Sequence, residues 1–503
     1  MEYGGHMSET SRDLLRLASA VLQPGFEGTL PPTWVRRWLG EGLGGVALFG
    51  RNIASPAQVA ELTAALRAER PDVVVAVDEE AGDVTRFETW QGSSRPGNLA
   101  LGAVDDVALT EAVARDLGHD LAEAGITLDY APDADVNNNP DNPVIGVRAF
   151  GADSDLVARH TAAWITGLQS AGVAACAKHF PGHGDTSVDS HVDVPRIGSS
   201  RSELDERELP PFRAAIAAGV QAVMTGHLLV PAVDPDRPAT LSRLVLTDLL
   251  RDELGFAGTV ITDGIEMKAL RTRYGLEGSA VQALAAGVDA ICVGGDHADE
   301  ATAVRLRNAI VAAVASGELP EERLAEAAKR VEQLAAWTAQ ARAAAVSDRA
   351  GGVPVGLAGA RRAVRVTGVA SALPLAAAPH VVEFEPPRNF AIGPETPWGV
   401  AVPLAALLPG TTAARLSASA ADSDFLAAAT ERPLVLVVRD IHRNEWMART
   451  VATALTVRPD AIVVEMGVPA SVVGATHVAT YGATRANGEA AAEVLAGRSV
   501  HSG

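Results

Sequence analysis

One stretch of the chain, residues 175–195, concentrates side chains suited to acid–base or nucleophilic chemistry. It begins as a short apolar run that predicts a buried strand, and it turns at Pro181, Gly182 and Gly184 into a polar loop. The strand end and loop carry Lys178, His179, His183, Asp185, Asp189, His191 and Asp193. Because loops on a rigid scaffold often carry catalytic residues, we take this stretch as the candidate active site.

Asp189 and His191 lie two residues apart, so in an extended loop both side chains leave on the same side and can form a hydrogen bond. A carboxylate partner stabilises the imidazolium and raises the pKa of the histidine, which makes the pair a proton donor usable near neutral pH. A solvated loop pair is the alternative interpretation. A zinc or manganese site is a third, which would use His179, His183, Asp185, Asp189 and His191. Against it, the spacing matches no common metal motif and Lys178 adds a positive charge.

Asp263 ends a second β-branched run and is followed by a glycine. A carboxylate in that place can attack an electrophilic carbon, bind a cation or cap the next helix. The sequence around Asp263 leaves these three roles open.

The elements that must position these residues alternate between short apolar runs and amphipathic segments from about residue 12 to 345. Continuous apolar strands between helices indicate a parallel sheet covered on both faces. The predicted strands are 46–49, 73–78, 126–132, 173–179, 222–227, 259–263 and 290–294, with a possible eighth at about 18–22. We therefore predict a (β/α)8 TIM-like barrel of the α/β class, whose strand ends bring ionisable side chains into one pocket.

The length of 503 residues exceeds what one barrel needs and predicts a second domain. Residues 1–11 resemble a tag remnant with a flexible N-terminus, and 12–345 form the barrel. Residues 346–360 form a linker, and 361–503 form a smaller α/β layered domain, an αβα sandwich. Weaker strand signals at 364–367, 380–384, 434–438, 461–465 and 478–481 support that second domain.

The net charge argues against two classes of partner. The formal net charge of −20 disfavours nucleic acid and anionic membrane surfaces, because like charges repel at long range.

Cys176 and Cys292 lie in apolar runs, which predicts that both are small buried apolar side chains and that they form no disulfide. No secretion signal and no long apolar run is evident, so we expect a cytoplasmic location.

Several motifs together resemble the family-3 glycoside hydrolases, and within them the NagZ-type β-N-acetylglucosaminidases. The most specific is KHFPGHGDT at 178–186, followed by Asp189-Ser190-His191. The others are ITDGIEM around Asp263, GGVALF at 44–49 with Arg51 and Asn52, DEE at 78–80 with Arg86, and PVIGVRAFG at 143–151. The resemblance covers essentially all of 12–345 and is much weaker beyond.

The resemblance implies roles for individual residues. Asp263 matches the nucleophile that forms a covalent glycosyl-enzyme, and His191, held by Asp189, matches the acid/base. Asp78 matches the carboxylate that binds sugar hydroxyls. The remaining predicted substrate-binding residues are Arg86, Arg148, Lys178, His179, His227 and Met267. His227 is equally well explained as a structural histidine.

The implied function is a retaining exo-β-N-acetylglucosaminidase that acts on a small carbohydrate substrate without metal or organic cofactor. Retaining cleavage normally uses two carboxylates. Because an imidazole donor does not repel an incoming anion, inorganic phosphate can compete with water, and a phosphorylase is the alternative enzyme. A catalytically silent sugar-binding protein is the alternative from another class.

Two departures from the family pattern concern charge and shape near the pocket. Glu80-Ala81-Gly82-Asp83 stands where Glu-Gly-Gly-Arg is usual, which leaves the leaving-group preference open. Asp129 and Asp133 make another strand end acidic, which predicts that an anionic substrate is disfavoured.

Overall fold

The computed structural model describes most of the chain. The described residues are 9–186, 194–295, 297–345, 354–369, 372–387, 391–393, 396–420, 425–429 and 431–498. Asp189 and His191 lie outside them. Within them, no helix combines the length and the apolar composition needed to cross a bilayer.

Eight short parallel strands form the first half of the fold. They are β1 Leu22–Pro24, β2 Gly45–Leu48, β3 Val74–Val77, β4 Leu128–Asp129, β5 Ala174–Phe180, β6 Ala222–Thr225, β7 Thr259–Thr262 and β8 Ile291–Val293. Strands β2 to β7 pair in chain order, β8 joins β7 through a bridge from Ala290 to Ile261, and β1 pairs with β8. This order is that of a TIM-like barrel, which confirms the predicted fold class.

Strand β1 is the possible eighth strand that the sequence placed at about 18–22. It begins later than predicted, because residues 18–20 end a helix and only Leu22–Pro24 is extended. The barrel closes where the amide of Gly44 donates to the carbonyl of Ser19 at 3.3 Å. A Cβ on Gly44 would lie 1.9 Å from the carbonyl oxygen of Ala20, so only glycine allows this approach.

Helices cover the outside of the barrel. They are α1 Glu9–Ala20, α2 Thr33–Gly40, α3 Pro56–Glu69, α4 Asn98–Val104, α5 Val107–Glu123, α6 Ser154–Ser170, α7 Arg201–Glu203, α8 Leu209–Ala217, α9 Lys268–Tyr274, α10 Leu276–Ala286, α11 Glu300–Ser316 and α12 Glu321–Ala344. A π-helical turn, Leu204–Glu208, joins α7 to α8, and a π-helix, Leu244–Glu253, lies between β6 and β7.

The barrel interior is filled by side chains that alternate along the strands. Ala174 and Cys176 of β5 belong to the interior cluster, whereas Ala175 and Ala177 belong to the outer core beneath the helices. Val331, Leu334 and Ala335 of α12 pack onto this interior cluster. Most side chains in this cluster are small, which suits the low aromatic content of 4%.

A second sheet contains six strands in the order β11-β10-β12-β13-β14-β9, of which only β9 is antiparallel. Its elements are α13 Val355–Ala363, β9 Arg365–Gly368, β10 His380–Phe384, α14 Ala401–Leu407, β11 Thr412–Leu416, β12 Leu434–Val438, α15 Glu445–Val457, β13 Ile462–Glu465, β14 Thr476–Ala479 and α16 Arg485–Ala496. Helices α14 and α16 pack on one face and α15 on the other, so the layers are αβα. Residues 355–360, assigned to the linker from sequence, form the first part of α13.

Candidate active site

Strand alternation determines which residues reach the mouth of the barrel. Val74 and Ala76 of β3 point inward, as do Cys176 of β5 and Ile261 of β7. Two residues further on, the same faces present Asp78, Lys178 and Asp263. Because parallel strands end at one rim, the three side chains share that rim.

These residues line one cavity of about 470 Å³, which we call the barrel cavity. A cavity of this size is typical of small-molecule sites. Its floor includes Tyr130, Met224 and Cys292 of the barrel interior. The predicted site residues on its wall are Asp78, Arg86, Arg148, Lys178, His179, Asp263 and Met267.

A buried network of charges holds one side of the barrel cavity. The ammonium of Lys178 forms ion pairs with Asp78 and with Glu80, the latter at 2.7 Å. Arg148 donates from Nε and Nη2 to the two oxygens of Glu80, at 2.9 and 2.8 Å. Burial opposes the charge on Lys178, but the two carboxylates outweigh it and raise the pKa of the lysine. Glu80 therefore fixes the positions of Lys178 and Arg148, whereas Asp78 lines the cavity.

Glu79 shapes the loop that carries Arg86. Its Oε2 accepts the backbone amides of Arg86 and Phe87 at 2.7 and 2.9 Å. The loop thereby returns Arg86 to the cavity, where its Nη2 lies 3.3 Å from Asp78 Oδ2. The same nitrogen donates to the carbonyl of Ala391 at 3.1 Å, so the C-terminal half of the chain contributes to this wall.

Asp135 holds the histidine side of the cavity. Its Oδ2 lies 2.8 Å from His179 Nδ1, and its Oδ1 accepts the amide of His183 at 2.7 Å. Burial alone would raise the pKa of Asp135, but the charge and hydrogen bond of His179 outweigh it and lower the pKa. Burial lowers the pKa of His183 to about 4, so this imidazole is neutral near pH 7. Because Asp135 holds Nδ1 of His179, the other ring nitrogen, Nε2, lies toward Arg148, 3.4 Å from its Nη2.

The loop after β7 fixes Asp263. Helix α9 begins at Lys268 with Met267 at its N-cap, so Asp263 is not the cap of that helix. Asp263 Oδ1 accepts the amide of Gly264 at 2.7 Å. His227 is buried behind this loop, 2.8 Å from Thr240 Oγ1 and 2.9 Å from the Gly264 carbonyl. His227 is not among the residues that line the barrel cavity and supports the Asp263 loop, and its contact with substrate stays a prediction.

One cluster has the composition of a metal site. Ligand atoms of Asp133, Asp135 and His179 lie within 4.8 Å of one another, and all three residues are buried. Arg148 Nη2 lies 3.8 Å from Asp133 Oδ2 and already supplies a positive charge there. A second cation beside the guanidinium is disfavoured by repulsion.

Ala81 and Asp83, the two departures from the family pattern, lie away from the barrel cavity, although the sequence suggested that they affect its charge and shape. Ala81 adopts φ +58°, where glycine is favoured, but its methyl belongs to the hydrophobic core. Asp83 pairs with Arg439 of the C-terminal half and accepts the amide of Ala483 at 2.9 Å. Neither residue lines the barrel cavity, so neither departure acts there directly.

The acidic strand end also differs from the expectation. Asp129 and Asp133 are fully buried and absent from the cavity wall, and burial raises the pKa of both well above the usual value. They therefore do not place negative charge in the cavity, and the argument against anionic substrates does not follow from them.

Several residues of the site escaped sequence reasoning. Glu266 is buried and accepts the amides of Gly294 and Gly295. Its place three residues after Asp263 was a signal that could have identified it. Lys268 and Arg271 also line the cavity, and no pattern pointed to Ala391, which is distant in sequence.

Comparison with known proteins assigns the family. Residues 35–334 match the glycosyl hydrolase family 3 N-terminal domain. A beta-hexosaminidase of Nitrosomonas eutropha is 40% identical over 268 residues, which cover 51% of this chain and 76% of that protein. Beta-hexosaminidase A of Pseudoalteromonas piscicida is 36% identical over 283 residues, or 52% of this chain, and the match spans 47% of that longer relative.

Solved structures agree over most of the chain. A family 3 beta-N-acetylglucosaminidase from Paenibacillus sp. str. FPU-7 superimposes with a TM-score of 0.85 at 32% identity, covering 98% of this chain and 97% of that one. NagZ from Neisseria gonorrhoeae, solved with N-trifluoroacetyl-D-glucosamine, gives 0.53 at 28% identity, covering 64% of this chain and 98% of that one. The chain belongs to glycosyl hydrolase family 3 and is a glycoside hydrolase enzyme.

Proposed function

We propose that this enzyme is a retaining, exo-acting β-N-acetylglucosaminidase that removes a terminal β-linked N-acetylglucosamine. The observation that carries the proposal is that Asp263 shares one small cavity with Asp78, Arg86 and Lys178. A carboxylate nucleophile beside donors and an acceptor for sugar hydroxyls is what retaining glycoside cleavage requires. The functions named for the relatives above support the choice of sugar.

The proposed reaction has two steps. A carboxylate oxygen of Asp263 bonds to the anomeric carbon while the bond to the leaving oxygen breaks, and His191 donates a proton to that oxygen. His191 then removes a proton from water, whose oxygen bonds to the anomeric carbon and releases Asp263. The roles of His191 and Asp189 rest on the family resemblance, because both residues lie outside the described part of the chain.

The dead-end cavity supports exo action. Tyr130, Met224 and Cys292 close its inner end with side chains that also pack the barrel interior. A sugar bound there cannot continue into a chain on that side, so only a terminal residue fits.

Turnover of an aryl β-N-acetylglucosaminide tests the assignment. We expect Asp263→Asn to lower kcat/KM by at least about 10³-fold, because the nucleophile is lost. Asp252→Asn is the matched control, since Asp252 is exposed on the same half of the chain and lies away from the cavity wall. Wild-type turnover by Asp263→Asn would overturn the assignment.

The same assay separates water from phosphate as the acceptor. Lys268 and Arg271 line the cavity and supply the positive charge that an anionic acceptor needs. Phosphorolysis is therefore the second candidate, and N-acetylglucosamine 1-phosphate among the products formed in phosphate buffer would identify it. Free sugar alone at the same rate with and without phosphate identifies hydrolysis.

A further inference from the structure

Two described segments flank the part of the chain that carries Asp189 and His191. We call residues 181–186 the outgoing stem and residues 194–199 the return stem. In the outgoing stem, the carbonyls of residues 183 and 184 accept Asn142 Nδ2 at 2.8 and 3.0 Å. In the return stem, the amide of Ile197 donates to the carbonyl of Leu229, after β6, at 2.9 Å. The two stems are therefore anchored to different parts of the barrel.

The side chain of Arg207 joins the two stems. Its Nη2 donates to Asp185 Oδ2 in the outgoing stem at 3.0 Å and to Ser199 Oγ in the return stem at 2.6 Å. Ser199 Oγ in turn donates to the same oxygen of Asp185 at 3.3 Å, and Asp185 Oδ1 accepts Asn138 Nδ2 at 3.2 Å. Hydrogen bonds between charged groups are among the stronger ones in proteins. One guanidinium nitrogen thus bridges the two ends of the segment.

The π-helical turn Leu204–Glu208 determines where Arg207 lies. Such a turn adds one residue to a helix, and π-turns are frequent at functional sites. Pro211, four residues after Arg207, has no N–H to donate to the Arg207 carbonyl. Ser154 Oγ of α6 donates to that carbonyl instead, at 2.7 Å. The backbone of Arg207 is therefore held by a neighbouring helix as well as by its own turn.

Glu208, the next residue of the turn, fixes the guanidinium from its other side. Its side chain is buried, and Oε1 accepts Arg207 Nε at 2.9 Å. The same side chain packs against the outgoing stem at Gly182. A Cβ on Gly182 would lie 2.7 Å from Glu208 Oε2 and 2.9 Å from Glu208 Cβ, so the stem can pass this close only as glycine. The π-turn therefore contacts the outgoing stem at two points and the return stem at one.

We propose that Arg207 is a positioning residue, which sets the distance between the two stems and thereby holds His191, the proposed acid/base, in register with Asp263. The inference rests on the proposed function. Arg207 is not among the residues that line the barrel cavity, so it acts on the reaction only through the stems. Because a small displacement of a catalytic group costs much of the rate, loss of the bridge should impair proton transfer more than sugar binding.

Two glycosides of N-acetylglucosamine with different leaving groups test this role. The methyl β-glycoside releases a strongly basic alkoxide unless its oxygen is protonated, whereas the dinitrophenyl β-glycoside releases a weakly basic phenolate without help from an acid. We expect Arg207→Gln to lower kcat/KM about 30-fold for the methyl glycoside and less than about 3-fold for the dinitrophenyl glycoside. The ratio of the two values should therefore fall about 10-fold. A purely structural role would lower both values equally and leave the ratio unchanged.

Three further variants accompany Arg207→Gln. Ser199→Ala removes only the hydroxyl on the return stem and keeps the test valid if Arg207→Gln fails to fold; we expect the ratio to fall about 3-fold. Arg207→Lys keeps the charge but loses the planar fork, so its ratio should lie between those of the wild type and Arg207→Gln. Arg159→Gln is the matched control, because it removes a partly exposed arginine that pairs with Asp105 at 2.7 Å, and it should leave the ratio unchanged.

A double variant shows whether Arg207 and Asp185 act as one link. Arg207→Gln combined with Asp185→Asn should give about the same ratio as either single variant, and losses that multiply would contradict a shared link. A wild-type ratio in folded Arg207→Gln and folded Ser199→Ala would overturn the positioning role while leaving the proposed function intact. Failure of the wild-type enzyme to cleave either glycoside would overturn the proposed function, and the inference with it.

Discussion

The ion pair between Asp83 and Arg439 joins the two halves of the chain, and removing its cation is the most informative perturbation of the fold. The side chains of Asp83 and Arg439 are only 3% and 11% exposed, so solvent does little to replace either partner. Arg439→Met would leave the Asp83 carboxylate buried, with the amide of Ala483 as its hydrogen-bond donor. Breaking a buried pair by removing one partner costs about 3 to 5 kcal/mol, and we expect a value near the lower limit because Asp83 can take up a proton.

The protonation of Asp83 follows from its surroundings. Burial raises the pKa of Asp83 even with Arg439 in place, and the guanidinium opposes that rise. Loss of the guanidinium raises the pKa further, so the neutral acid limits the cost of the substitution at and below neutral pH. The destabilisation by Arg439→Met should therefore grow as the pH increases from 5 to 8.

A double-mutant cycle with Asp83→Asn measures the pair itself. We expect a coupling free energy of at least about 1.5 kcal/mol from urea unfolding of the wild type, the two single variants and the double variant. Hydrogen exchange of the Ala483 amide, which donates to Asp83 at 2.9 Å, gives a local readout at the interface. Coupling below about 0.5 kcal/mol with unchanged exchange at Ala483 would refute the reasoning, because the pair would then not hold the interface.

Three further predictions concern the barrel cavity. Lys178→Met should lower kcat/KM on an aryl β-N-acetylglucosaminide by about 100-fold or more, because Asp78 and Glu80 lose the cation between them; normal turnover would exclude this role. Burial lowers the pKa of His183 from 6.5 to about 4, so as the pH falls the unfolded chain binds a proton at a higher pH than the folded one. The free energy of unfolding should therefore fall by up to about 3 kcal/mol from pH 6.5 to 4. His183→Gln should remove that part of the pH dependence in urea unfolding, and an unaltered profile would contradict it. His227→Ala should lower kcat about 10-fold with little change in KM, because it frees the carbonyl that His227 holds; a change in KM alone would instead indicate substrate contact.

The barrel could be predicted from sequence because most of its strands are short apolar runs, and several of them are followed by ionisable residues. At Lys178, near the end of β5, and at Asp263, directly after β7, the change from apolar to ionisable residues also marks the cavity wall. The interior position of these residues follows from the period of two along a strand, and so their presence in one cavity is predictable without coordinates.

The second sheet was harder to predict at its edge. Strand β11, Thr412–Leu416, is mostly exposed and carries two alanines and an arginine, so it lacks the apolar pattern of a central strand. Strand β14 also begins two residues earlier than expected, at Thr476, because its pairing with β13 overrides local propensity.

Contacts distant in sequence account for the rest. Asp83 reads as an added negative charge beside the cavity until its partner, 356 residues away, is known. The carbonyl of Ala391 on Arg86 is a backbone contact and leaves no trace in residue type. Such contacts depend on how the two halves pack, which local patterns do not encode.

The wall of the barrel cavity comes almost entirely from the first half of the chain, and Ala391 is its one contribution from the C-terminal half among the described residues. The predicted nucleophile and sugar-binding residues belong to the barrel, whereas the C-terminal half is joined to it by the carbonyl of Ala391 on Arg86 and by the pair of Arg439 with Asp83. An exchange of the C-terminal half between relatives would keep the barrel residues in place, but it would require a matched pair at positions 83 and 439.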